Sequence, residues 1–342
     1  MNIIFRCDAS KDIGIGHLMR CLSLSEEFIK RGHICYFASK IYDETVDNLI
    51  SEKKLNLIKI NPNINQKQEI DLLLNFSRKK KIDWVITDNY DISSDYIKTL
   101  KEYGLNVLSI DDNSHISYFS DIVVNQNIGS ENLSYSGDRN TKYLLGTKYV
   151  ILRDELLNKP KKIRNKVEKI LIMFGGTDNN NLTLKILKII KETIYNQEII
   201  IVIGPLNPFL TEIKSYIEEE KISAKIIYSP KELADIYLDT DVAISAGGTS
   251  VYELALFGIP NIIITIANNQ VRIAEELDSK NISIYTGKIE EFNEELFKEK
   301  FKELLTNDDL RKKISKNAKK LVDGKGKNRI VDLMERYNWK KM

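Results

Sequence analysis

The chain reads as an α/β protein of two doubly wound units, each a parallel sheet wrapped by helices. Three observations predict this class. Short apolar runs rich in β-branched residues recur along the chain, amphipathic stretches separate them, and the runs fall into two series divided by a lysine-rich passage. Continuous apolar runs of this kind are what strands buried on both faces require. A length of 342 residues suits two domains at roughly 100–200 residues each.

The first series opens with NIIFRC (2–7), followed by the helix-like HLMRCLSLSEEFIKRG (17–32) and the strand HICYFAS (33–39). It continues through DWVITD (83–88), LNVLSID (105–111) and DIVVN (121–125). The second series runs through KILIMF (169–174), EIIIVIG (198–204), AKIIYS (224–229), DVAISA (241–246) and NIIITI (261–266). Between them RDELLNKPKKIRNKVE, with Pro160 and a cluster of Lys and Arg, has the polarity of a boundary. The expected division is 1–152 for the first domain, 153–168 for a linker, 169–325 for the second domain and 326–342 for a helical extension.

Composition narrows the function classes. Hydrophobic residues make up 42% and charged residues 29%, enough apolar surface to offset the entropy of ordering. Lys and Arg number 51 against 49 Asp and Glu, for a net charge of +2, so the chain lacks the overall basic footprint of a nucleic-acid partner. The stretch Leu310–Met342 is locally basic and reads either as a nucleic-acid or membrane patch or as a solvated helix face; Leu310, Ile314, Leu321, Ile330, Leu333 and Met334 interleave at helical spacing, which favours the helix face. No apolar run approaches the roughly 18–20 residues of a membrane span, and MNIIFRCDAS is not a signal-peptide start. A cytoplasmic protein without membrane insertion is expected. Cys7, Cys21 and Cys35 form no CxxC and read as buried thiols.

In open parallel sheets ligands bind beyond the carboxyl ends of strands, so residues just after strands come first. The first strand runs into Asp8-Ala9-Ser10, then Gly14-Ile15-Gly16-His17 and a helix that carries Arg20. Glycines permit a tight turn and close approach of a ligand, but the spacing lacks the third glycine of a dinucleotide fingerprint. His17 sits in the first helical turn, where the positive end of the helix dipole suits a neutral imidazole that accepts a proton. A structural histidine is the alternative, and it is the reading adopted for His33 and His115. Phe174-Gly175-Gly176-Thr177-Asp178 opens the second unit, with Asp178 either meeting a ligand or capping the next helix.

The most informative segment is Ile244–Pro260, in which Gly247 and Gly248 turn the chain and Thr249 and Ser250 open a helix. Amides and hydroxyls at such a terminus suit a diphosphate, and Glu253, one turn in, is within reach of its ribose. Without Gly-Lys-Ser/Thr this is not a Walker loop. Ala267-Asn268-Asn269-Gln270 supplies amides for a neutral, polyhydroxylated or acetamido ligand, or a helix cap. Asp88-Asn89-Tyr90 and Asp111-Asp112 also follow strands, and no His or further acid joins the paired aspartates at metal-ligand spacing. Neither a metal nor another cofactor is called for.

Together, Arg6-x-Asp8-x-Ser10, Gly14-x-Gly16-His17-x-x-Arg20, Asp88-x-Tyr90, Asp111-Asp112, Gly175-Gly176-Thr177-Asp178, the Gly247–Glu253 turn and Asn269-Gln270 resemble the UDP-sugar hydrolases of pseudaminic acid biosynthesis and their spore-coat polysaccharide relatives, over about residues 1–285. The resemblance implies the two-domain GT-B fold, with UDP on the second domain and the sugar between the domains. It implies hydrolysis of UDP-2,4-diacetamido-2,4,6-trideoxy-β-L-altropyranose to UDP and free sugar without a required metal. His17 would then be the base, Tyr90 and Asn269 sugar contacts, and Glu253 the ribose ligand. Asp8, Gly14, Gly16, Arg20, Asp178 and Gln270 complete the expected substrate shell, with Gly247, Gly248, Thr249 and Ser250 around UDP. The chain is longer than the shortest members of that family by an extension after about Tyr285. Two alternatives stay open: an inverting glycosyltransferase in which His17 activates an acceptor hydroxyl, and a nucleotide-sugar-binding module without catalysis.

Overall fold

The computed structural model describes residues 1–10, 13–40 and 44–339. It divides into one unit of Met1–Ile151 joined by the chain from Lys325 onward, and a second of Leu152–Gly324.

In the first unit the strands are β1 (Asn2–Cys7), β2 (Ile34–Ser39), β3 (Asn56–Lys59), β4 (Trp84–Asp88), β5 (Asn106–Ile110), β6 (Ser117–Tyr118), β7 (Ile122–Asn125), β8 (Ser136–Gly137) and β9 (Lys142–Leu145). Seven of them form one sheet in the order β3-β2-β1-β4-β5-β7-β9, and β6 pairs with β8. All pairings are parallel. Each apolar run of the first series is a strand. β3 and β9, at the two edges, are only partly buried, and an edge strand does not need a continuous apolar run.

The pleat sends Ile3, Phe5 and Cys7 to one face and Ile4 to the other. The first face is covered by α1 (Gly16–Lys30) and α2 (Glu44–Glu52), the second by α3 (Gln66–Lys80) and α4 (Ser94–Glu102). Cys7, Cys21 and Cys35 are buried free thiols.

The second unit repeats the plan. Its strands β10 (Lys169–Met173), β11 (Glu198–Ile203), β12 (Ala224–Tyr228), β13 (Val242–Ser245), β14 (Asn261–Thr265) and β15 (Ile284–Lys288) order as β12-β11-β10-β13-β14-β15, all parallel. Its helices are α5 (Leu182–Ile190), α6 (Leu210–Glu219), α7 (Ala234–Asp239), α8 (Ser250–Phe257), α9 (Asn268–Ser279), α10 (Glu294–Thr306) and α11 (Asp308–Ala318). Ile170, Ile172 and Phe174 pack with α5 and α10, while Leu171 and Met173 pack with α7 and α8. The passage expected as a linker is folded onto this unit: Leu156 is buried in its core, and the Arg164 guanidinium reaches Asp239 at 3.1 Å and Asp241 at 3.0 Å.

The chain then returns to the first unit as α12 (Gly326–Trp339), a placement its sequence does not specify. Ile330, Val331 and Met334 enter the core beside β1 and α1. Arg31 binds Asp332 at 2.6 Å and Glu335 at 3.0 Å, and the Tyr337 hydroxyl donates to Asp121 at 2.7 Å. At the head of α12 only glycine fits, because a Cβ on Gly326 would lie 2.1 Å from the Val150 carbonyl oxygen.

Strand order reverses between β1 and β4 in the first unit and between β10 and β13 in the second. These are the switch points at which doubly wound sheets open a crevice at their carboxyl ends.

Candidate active site

Cys7 ends β1 and Asp88 ends β4, so the first switch point is flanked by Asp8 on one side and Asp88, Asn89 and Tyr90 on the other. Gly14 takes φ +85°, which lets the chain turn back to donate from its amide to the Ser10 carbonyl at 2.8 Å before α1 begins. His17 and Arg20, three residues apart on α1, share one face of the helix and meet the same carboxylate. His17 Nδ1 lies 2.6 Å from Asp88 Oδ1, and the imidazole is 14% exposed whereas Asp88 is buried.

Arg20 holds two acids together. Its Nε and Nη2 each lie 2.5 Å from an Asp88 oxygen, while Nη1 and Nη2 reach Asp112 at 2.9 and 3.0 Å. Burial alone would push both carboxyls up, but the Arg20 guanidinium outweighs it and holds each below its ordinary value; both acids in turn push Arg20 upward. With the two Nη2 hydrogens given to Asp88 and Asp112, Nδ1, 3.0 Å from Nη2, can donate to the Asp88 anion. The tautomer set this way leaves Nε2 as the basic nitrogen. The Tyr90 ring stands edge-on to His17 with centroids 5.0 Å apart; its hydroxyl donates to Asp112 at 2.8 Å, and 41% of the residue is exposed.

Asp8 is tied into the sheet ends: it accepts from the Lys40 amide at 2.7 Å, the Ser39 hydroxyl at 3.0 Å and the Asn89 amide group, and lies 2.8 Å from Arg6 Nη1. Asp111 accepts from the amides of Asn113 and Ser114 and the hydroxyls of Tyr118 and Tyr135, a turn-holding role. His33 bridges the chain terminus and Glu335. His115 lies with its ring 5.9 Å from that of Tyr90, so the fold brings it beside the His17 group.

In the second unit the switch point lies between the Gly175-Gly176 turn after β10 and the Gly247-Gly248 turn after β13. Gln270 Oε1 accepts from the amides of Gly247 at 3.2 Å and Ile266 at 3.0 Å, so Gln270 pins the turn. Gly248, Thr249 and Ser250 lead into α8, where no preceding turn supplies carbonyl partners. Asn269 lies in the first turn of α9. Both oxygens of Asp178 cap α5, accepting from Leu182 at 2.8 Å and Thr183 at 3.0 Å, the second of the two roles its position allows.

Glu253 is buried and engaged. Arg153 Nε and Nη2 reach Oε1 at 3.1 and 2.9 Å, Nη2 reaches Oε2 at 3.0 Å, and the Tyr237 hydroxyl donates to Oε2 at 2.7 Å. Four donor contacts match the roughly four acceptor positions of a carboxylate. Neither Arg153 nor Tyr237 was legible as a partner, since the first lies in the apparent linker and the second in a helix of six residues. Asp88 as orienter of His17 was legible only as a residue that follows a strand.

The fold and these two sets of residues define the class: an α/β protein of GT-B type, two Rossmann-like units each with residues gathered at its switch point. Comparison with known proteins places it more narrowly. Residues 170–334 match the glycosyltransferase family 28 C-terminal domain. The chain is 33% identical over 279 residues to the uncharacterized protein MJ1062 of Methanocaldococcus jannaschii, covering 77% of this chain and 55% of that one. It is 25% identical to the UDP-2,4-diacetamido-2,4,6-trideoxy-β-L-altropyranose hydrolase of Campylobacter jejuni, over 83% of this chain and 98% of that one, and 23% identical to the spore coat polysaccharide biosynthesis protein SpsG of Bacillus subtilis, over 98% of each. The MurG structure from Acinetobacter baumannii superposes with a TM-score of 0.72 at 14% identity, covering 98% of this chain and 99% of that one. Among the described residues no helix is long and apolar enough to cross a membrane.

Proposed function

We propose that the chain hydrolyses a UDP-linked 2,4-diacetamido-2,4,6-trideoxyhexose, the β-L-altropyranose foremost, to UDP and the free sugar with inversion at the anomeric carbon, a step of nonulosonic acid synthesis. The observation that carries this reading is the His17–Asp88 pair at 2.6 Å, a carboxylate-oriented imidazole of the kind that takes a proton from water. The name of the Campylobacter relative supports the substrate class.

In this reading the amides of Gly248–Ser250 receive the diphosphate. Water oxygen bonds to the anomeric carbon, its proton passes to His17 Nε2, and the bond from that carbon to the phosphate oxygen breaks, with both electrons leaving on UDP. The imidazolium so formed is stabilised by Asp88, which Arg20 keeps ionised. UDP is a good leaving group and needs little general-acid help, so one base replaces the two carboxylates of common glycosidases. Asn269 and half-exposed Tyr90 are assigned to the sugar.

The test is a panel of UDP-diacetamido-trideoxyhexoses incubated without any acceptor, with UDP release and the first-formed anomer followed by NMR. UDP release with inversion, lost in His17→Asn, is expected. Release that requires an added carbohydrate acceptor makes the protein a glycosyltransferase, and tight binding without release makes it a binding module.

A further inference from the structure

The basic stretch that the sequence assigns to a solvated helix face does not stand alone in the fold. Residues 159–168 and 308–320 together hold eleven Lys and Arg against three acids, whereas the whole chain carries only +2; the remainder is therefore net acidic by six charges. The two segments are joined. Lys319 Nζ donates to the Lys161 carbonyl at 3.0 Å, and the Arg311 guanidinium donates to the Asn165 carbonyl. On α11 the buried positions Arg311, Ile314, Ser315 and Ala318 face inward, so Lys313 and Lys316, three apart, line the outer face, and Lys320 lies in the turn that follows the helix. They are exposed, as are Lys159, Lys162 and Lys166 on the other segment. The acids nearby pair with other cations of the two segments: Asp239, Asp241 and Glu168 lie on Arg164, and Asp308 holds Lys312 at 2.5 Å, while Asp309 is exposed beside them.

We infer that this joined lysine surface adsorbs the protein onto an anionic lipid bilayer through headgroup charge, without insertion. Clusters of four to eight basic residues at a surface are what anionic headgroups attract. The patch is built of lysines, hydrated point charges suited to diffuse adsorption rather than to bidentate recognition, and neither segment contains an aromatic residue on which a nucleic-acid base would stack. The inference concerns a surface of the second unit and is independent of which sugar reaction the chain performs.

The experiment is co-sedimentation of the full chain with vesicles of phosphatidylcholine alone and of phosphatidylcholine with one third phosphatidylglycerol, beside a duplex DNA arm at the same salt. Partitioning to the anionic vesicles only, screened by added salt, is expected. The quadruple variant Lys162→Gln, Lys166→Gln, Lys316→Gln, Lys320→Gln should lose roughly two to three orders of magnitude in partitioning, about fivefold per lysine, with its thermal unfolding unchanged. Failure of the parent chain to bind anionic vesicles, undiminished binding by the folded variant, or tighter binding to DNA than to vesicles would overturn the inference.

Discussion

Replacing Asp88 by Asn probes whether His17 works as an oriented base. Asp88 accepts from His17 Nδ1 at 2.6 Å and from two Arg20 nitrogens at 2.5 Å. An amide offers one acceptor oxygen and one donor group in that space. Nε and Nη2 of Arg20 bind different Asp88 oxygens, and His17 shares Oδ1 with Nη2; with the amide oxygen kept on Nε, the NH2 group occupies the Oδ1 position, faces Nη2 without an acceptor and turns His17 Nδ1 into one. The imidazole proton then sits on Nε2, and the nitrogen that should take a proton from water cannot. A correctly placed base contributes about 10²–10⁴ in rate, so Asp88→Asn is expected to lower kcat by about 10³, near 4 kcal/mol at 1.36 kcal/mol per tenfold. Arg20 keeps both contacts to Asp112, which limits the loss of stability to about 1–3 kcal/mol for one imperfectly paired buried group. The assay is steady-state UDP release, with UDP affinity by calorimetry and thermal unfolding as companions. UDP affinity should hold, because the residues assigned to the nucleotide lie in the second unit. A variant that is folded, binds UDP and turns over within about threefold of the parent refutes the oriented-base reasoning.

Glu253→Ala should lower stability by about 3 kcal/mol, since it strands the Arg153 guanidinium, and leave calorimetric UDP affinity unchanged, because Arg153 and Tyr237 already fill the acceptor positions of Glu253; weakened affinity would restore the ribose role that the sequence suggests. Turnover should survive EDTA, because Arg20 already bridges the Asp88 and Asp112 carboxylates and no group of three metal-capable side chains occurs among the described residues; complete loss restored by Mg²⁺ or Mn²⁺ would reverse this. Ending the chain at Gly324 removes Ile330, Val331 and Met334 from the first core, at roughly 1.5–3 kcal/mol per buried side chain, so the first unit should unfold at much lower denaturant while an intact melting temperature would be the contrary result. Asp88 and Asp112 have folded pKa values below their ordinary 3.8; the stability they add is complete above that value and declines as pH falls below it. Asp112→Asn should therefore flatten the acid limb of an unfolding series from neutral pH downward, and an unaltered slope would show that the pair contributes nothing there.

Legibility followed the physics of each element. Nine of the ten apolar runs are interior strands of the two sheets, because a strand buried on both faces admits almost no polar residue; the tenth, β12, is an edge that is only partly buried. β3, β9 and β15 escaped notice, since partly exposed edges tolerate residues such as Asn56 and Lys59 or Tyr285 and Lys288. The candidate site was half legible for a similar reason. Residues just after strands at a glycine turn stand out in a linear reading, which is how His17, the Gly247–Ser250 turn and Glu253 were found. What a side chain does with its hydrogen bonds does not stand out: Asp178 caps a helix, Gln270 pins a turn, and Arg20 binds two aspartates 68 and 92 residues away.

By itself the amino-acid sequence determined the α/β class, the two series of strands and the positions of the glycine turn after β13 and of the histidine after β1, because local apolar period and turn chemistry act over a few residues. Tertiary structure alone decided the strand orders, the return of α12 to the first core, the pairing of His17 with Asp88, the engagement of Glu253 by Arg153 and the joining of two lysine runs. Each of these depends on crossover connections that bring distant segments together, and their free energy resides in burial and charge pairing that exist only once the sheets have formed.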